Sequence, residues 1–188
     1  MDCRKGKGMI DTTDDRQLVH IRFSLRVNEN NIGRLKHAVG KELRKGIKRL
    51  ILSMNTLGGL WDPAFEAYTY LKETGAEVTT HNSCKVGSAA IVVFCAGGQR
   101  TCTSKSLFIF HPVDLGEERR SSVPKGLIDE YDRRIAKVIA KSCGRVNDDA
   151  LSVIKERCIF NADEALDFGL VHKIRDTLGT KRTREIQI

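Results

Sequence analysis

The sequence is short of several features that would announce a function at once. It has no apolar run long enough to cross a bilayer; the longest, near 89–98, carries no charge but covers only half the needed length. It has no apolar stretch behind the charged start Met1-Asp2-Cys3-Arg4-Lys5-Gly6-Lys7, which argues against a secretory signal. Its six cysteines (Cys3, Cys84, Cys95, Cys102, Cys143 and Cys158) form no CxxC pair and no Cys/His pair at zinc spacing, so neither metal nor cofactor is expected. In a chain of 188 residues that needs no staples, such thiols read as free and the compartment as reducing and cytoplasmic. Aromatic residues make up only 6% and do not interleave with the basic ones. The formal charge of +8 is therefore read as solvated helix faces and a basic tail, not as a nucleic-acid surface. There are no internal repeats and no low-complexity segments.

What is present is alternation. Residues 1–17 read as a polar arm, 18–175 as one domain and 176–188 as a basic, frayed tail. Leu18–Phe23 has strand composition. Ile32, Leu35, Val39 and Leu43 recur at helical spacing behind Asn28 or Asn30 as cap. Leu50–Met54 reads as a buried strand, Asp62-Pro63 as a helix start and Ala76–Thr80 as the next strand. A small-residue helix follows over Ser88–Ala96, then a strand over Leu107–Phe110. Further helices are expected over Pro124–Cys143, Asn147–Lys155 and Ala162–Phe168, with a last strand over Leu170–Ile174. Strand–helix alternation predicts right-handed βαβ units and a parallel sheet with flanking helices.

In such sheets sites form beyond the carboxyl ends of the strands. Three segments converge there: Asn55–Gly59, His81–Ser88 and the stretch from His111. Gly58-Gly59 lets a backbone amide face a ligand, though a Gly-Gly pair alone more often marks a tight turn. Ser88 stands at the start of an apolar helix, where its simplest role is an N-cap. His111 ends an apolar strand before Pro112, where a partly buried, backbone-bonded histidine is the plain reading. Together they offer a nucleophile, a base and oxyanion donors.

The order of these motifs resembles the proteolytic subunit of the Clp protease. The stretches that carry it are Asn55-Thr56-Leu57-Gly58-Gly59, Gly87-Ser88-Ala89-Ala90 leading to Ala96-Gly97-Gly98-Gln99-Arg100, Phe110-His111-Pro112, and Ala162–Val171. The resemblance implies a ClpP/crotonase-type α/β fold built from repeated ββα and βαβ units. It also implies a serine peptidase with Ser88 as nucleophile, His111 as base, and the Gly59 and Ala89 amides as oxyanion hole. Peptide or unfolded protein would be the substrate, and the chain would form a homo-oligomer through the helix from Pro124.

Two departures stand out. Arg157 occupies the position of the family's triad aspartate, leaving Glu156 or Asp114 as replacement acids. Leu57 replaces the proline of the glycine loop, and no long axial N-terminal loop is evident, which argues against docking to an ATP-driven unfoldase. A Ser–Lys pair through Lys85 or Lys125 ranks below Ser–His. His20, His37, His81 and His172 read as surface or strand histidines, and Trp61 as a packing or pocket residue. The alternatives are a scaffold that has lost its triad, favoured by Arg157, and a crotonase-type enzyme acting on acyl-CoA.

Overall fold

The computed structural model describes residues 18–114, 124–178 and 184–188. The expected arm at 1–17 lies outside the described residues, as do residues 179–183 of the tail. β1 (Leu18–Phe23), β2 (Arg49–Thr56) and β3 (Glu77–Gly87) pair in parallel. α1 (Glu29–Leu43), α2 (Trp61–Glu73) and α3 (Ala89–Phe94) follow them in turn. Asn28 caps α1 by accepting from the Asn31 amide at 2.8 Å, and Ile32, Leu35 and Val39 are its buried stripe. α2 begins at Trp61, two residues before Pro63, which is its third residue and not its first, and it buries Ala64, Ala67 and Leu71.

The remaining elements are β4 (Gln99–Cys102), β5 (Leu107–Ile109), α4 (Lys125–Cys143), α5 (Asn147–Lys155), β6 (Ile159–Phe160), α6 (Ala162–Asp167), β7 (Lys173–Ile174) and β8 (Arg184–Gln187). The sheet runs β6-β5-β3-β2-β1-β8, with β4 attached to β3 and β7 attached to β4. All pairs are parallel except β5–β6.

The sequence reading expected neither β4 nor β6, and the expected strand Leu170–Ile174 is reduced to Lys173–Ile174; two further departures bear on the site. The segment 81–87, expected as a loop, continues β3, because β3 serves two neighbours in succession. Residues 79–82 pair with β4, and residues 85–87 with β5. Asn82 bridges the change of partner: its side chain accepts from the Cys84 amide at 3.0 Å and donates to the Leu107 carbonyl at 2.9 Å. The tail, expected to fray, instead adds β8 to the edge of β1, and Ile188 is buried.

Side chains alternate across the sheet. Val19, Ile21, Phe23, Leu50, Leu52 and Met54 join the core with the buried faces of α1, α2 and α3. The other face carries His20, Arg22, Ser53, His81 and Glu185. Among the described residues no helix is long and apolar enough to cross a membrane.

Candidate active site

The site is assembled at the carboxyl ends of β2, β3 and β5. After β2 the chain turns through Gly58 (φ +97°) and Gly59 (φ +155°). Both glycines are required. A Cβ on Gly59 would stand 2.1 Å from the Val27 carbonyl oxygen, with which the loop pairs. A Cβ on Gly58 would stand 2.5 Å from the Gly87 oxygen and 2.9 Å from the Ala89 nitrogen. The glycine loop thus lies directly against the nucleophile segment, which no residue larger than glycine allows.

Ser88 itself has φ +53°, a conformation rare for a residue with a side chain. Its amide donates to the Ile109 carbonyl at 2.9 Å, so the β3–β5 pairing runs up to the serine. Its hydroxyl does not cap α3. The plain N-cap role is therefore absent, and Ser88 in its strained turn instead lines a cavity of about 660 Å³. At the first turn of α3, the Ala89 amide has no intrahelical acceptor.

His111 follows β5 and lines the same cavity, with Gly58, Gly59, Trp61 and Asp114. Its Nδ1 lies 2.7 Å from the Pro112 carbonyl oxygen. A carbonyl only accepts, so the Nδ1 proton is held there and Nε2 is left as the basic nitrogen. The loop after His111 is held from α4: the Val113 amide donates to the buried Asp132 carboxylate at 2.9 Å. Burial raises the Asp132 pKa, while the Val113 amide, the lysine at 155 and His111 act in the opposite direction. Sequence reading passed over Asp132, because a lone aspartate on the polar pattern of a long helix gives no sign that it turns inward.

Of the two replacement acids, Asp114 lines the cavity. Glu156 does not; it caps α5 and accepts from the Ser152 hydroxyl at 2.6 Å. Arg157 stands in left-handed backbone (φ +56°). The next residue, Cys158, accepts the Phe110 amide at 2.9 Å, so position 157 sits beside the chain that leads from β5 to His111. Lys85 lines the cavity; the Lys125 side chain lies outside what is described. Among the described residues no cluster of three or more acidic, histidine or cysteine side chains could hold a metal.

Arg100 has a supporting place behind α3. Its buried guanidinium donates to the carbonyls of Gly97, Ser142, Gly169 and Leu170 at 2.6–3.2 Å. It ties β4 to the ends of α4 and α6, which explains why an arginine follows the glycines.

A family model described as Clp protease matches residues 35–177. Among solved structures, an Asn-to-Asp variant of ClpP1 from Listeria monocytogenes superposes with a TM-score of 0.76 at 18% identity, covering 88% of this chain and 95% of that one. ClpP1 from the same organism gives 0.75 at 17% identity, covering 87% and 93%. A Ser-to-Ala variant of the membrane-bound stomatin-specific protease 1510-N gives 0.75 at 11% identity, covering 91% and 96%. No curated protein matches. At these identities the superpositions speak for the fold, a ClpP-type α/β sheet with flanking helices.

Proposed function

This chain belongs to the Clp protease family, and we propose that it is a serine-type peptidase that cleaves peptide bonds through an acyl-enzyme on Ser88. The observation that carries the reading is the strained Ser88 turn, whose hydroxyl caps nothing and shares a cavity with His111. Ser88 Oγ attacks the carbonyl carbon and His111 Nε2 takes its proton. The Gly59 and Ala89 amides receive the oxyanion. His111 then protonates the leaving amine, and water repeats the sequence to free the acid.

The Pro112 carbonyl orients the imidazole as a triad carboxylate would, but it carries no full charge to stabilise imidazolium. The mechanism is accordingly that of a Ser–His dyad assisted by the fields of Asp114 and Asp132, and slow. The substrate is an extended peptide or unfolded protein. The assembly is a homo-oligomer, to which α4 contributes Leu127, a large apolar side chain left exposed. Static light scattering at micromolar concentration tests this; a monomer would overturn it.

Arg157 favours a second reading, a scaffold subunit without activity. A fluorophosphonate probe separates the two. The tryptic peptides 86–100 and 50–72 resolve Ser88 from other serines. An adduct on 86–100 that Ser88→Ala abolishes and His111→Ala slows about 10²-fold or more supports the peptidase. No adduct on that peptide in folded protein places the scaffold first.

A further inference from the structure

On the sheet face opposite the helices, a second serine sits in the arrangement of a nucleophile. Ser53 of β2 has its Oγ 2.6 Å from His20 Nε2 on β1. On the other side of the ring, His20 Nδ1 lies 3.1 Å from a Glu185 carboxylate oxygen on β8, out of line for a hydrogen bond. His20 is 97% enclosed, so its Nδ1 is a buried polar atom with no in-line partner. Arg22 donates to the same Glu185 oxygen at 2.8 Å and holds that carboxylate beside the ring. These residues line a cavity of about 450 Å³ that is separate from the Ser88 cavity and meets it at Ser24 and Asn55.

We propose that Ser53, His20 and Glu185 form a second acyl-transfer site, one that takes small uncharged carboxylic esters. Strand register brings the three together: His20 is the direct partner of Glu185, and Ser53 lies across from Arg22, one pleat along from His20. Ser53 Oγ forms a bond to the ester carbonyl carbon while its proton passes to His20 Nε2. The alkoxide leaves as the C–O bond breaks and takes that proton. Water, deprotonated by the same nitrogen, then releases the acid and restores the serine. The Glu185 carboxylate, 3.1 Å from Nδ1, compensates the charge of the imidazolium as it forms.

The register partner of Ser53 on β3 is His81, which also lines this cavity. Its Nδ1 lies 2.9 Å from the Thr101 hydroxyl. With that hydroxyl donating, the His81 proton sits on Nε2 and serves the developing oxyanion. Burial lowers the pKa of both histidines, so both rings are neutral at pH 7, as a base and a neutral donor must be. The Ser53 cavity is the smaller of the two, about 450 Å³ against 660 Å³, and Glu185, Asp176 and Arg22 ring it, which suits a short neutral ester better than a long peptide.

The test uses the Ser88→Ala protein, so that it is independent of any chemistry at Ser88. The protein is treated with a short-chain fluorophosphonate, and the adduct is placed by fragmentation of peptide 50–72. The expected result is a single adduct on Ser53, formed about 10²-fold more slowly after His20→Asn and about 10-fold more slowly after Glu185→Gln. A thermal melt checks each variant. Should His20→Asn fail to fold, Glu185→Gln, on the exposed edge strand, decides. No adduct on Ser53, or one whose rate ignores both substitutions, overturns the proposal.

Discussion

At the scale of single residues, the site turns on three unusual positions. Among the described residues Ser88 and Arg157 are the non-glycine positions with positive φ, and they stand at the start and the end of the machinery around His111. Left-handed backbone is more tolerable for aspartate than for arginine, because a short polar side chain bonds locally there. Arg157→Asp is therefore accommodated by the backbone and returns a carboxylate to the side of His111. The expected outcome is at least a ~10-fold faster Ser88 adduct, a fraction of what a triad acid contributes. An unchanged rate in a folded variant would mean that Asp114 or Asp132 already does the work. Gly58→Ala is the opposite case. Its Cβ would meet the backbone of Gly87 and Ala89, neither of which can swing away as a side chain does. A loss of roughly 1–3 kcal/mol in urea unfolding is expected, together with loss of the Ser88 adduct.

At the scale of elements, the site depends on contacts between segments far apart in sequence. α4 holds the His111 loop through the Val113–Asp132 bond. Asp132→Ala leaves a buried amide without its acceptor, at a cost of about 1–3 kcal/mol, and frees the loop. The expected result is a slower Ser88 adduct with no change in the adduct at Ser53, read from the same digest. Arg100 joins four carbonyls: one in the turn after α3, one at the end of α4 and two just after α6. Arg100→Ala strands those acceptors and should lower stability by about 3 kcal/mol or more by chemical denaturation. Sequence reading saw Arg100 as part of a motif. The carbonyls it binds lie 3, 42, 69 and 70 residues away, and spacing along the chain does not reveal them.

At the scale of the whole molecule, the sheet's polar face makes stability depend on pH. Burial pushes His81 down to about 4 from an ordinary 6.5, and His20 and His172 move the same way. Between those values the unfolded chain holds the His81 proton and the folded one does not. Stability therefore rises with pH across that window. It is fully present above about pH 6.5 and lost as pH falls toward 4. Asp132, raised by burial, works against this trend, since its proton is bound more tightly in the fold. The expected measurement is a Tm lower at pH 4.5 than at pH 7, at about 2–4 °C per kcal/mol for a chain of this size. His81→Gln should flatten that slope; a slope that persists would assign it to the other histidines.

The sequence by itself determined the α/β class, the parallel pairing of the first strands and the glycine turn after β2. Hydrophobic period, glycine and proline are local signals, and these elements are written in them. Only the tertiary structure decided that 81–87 is strand, that residues 184–188 close the sheet edge, and that Glu156 points away from the cavity while Asp132 reaches the His111 loop. Short strands and lone polar side chains are stabilised by partners distant in sequence. A tail with a single apolar stretch, or an aspartate on a polar helix, takes its meaning from the neighbour that folding supplies. The pairing of Ser53 with His20 and Glu185 is of the same kind: three residues on three strands, brought into one row by the register of a sheet that no part of the sequence states alone.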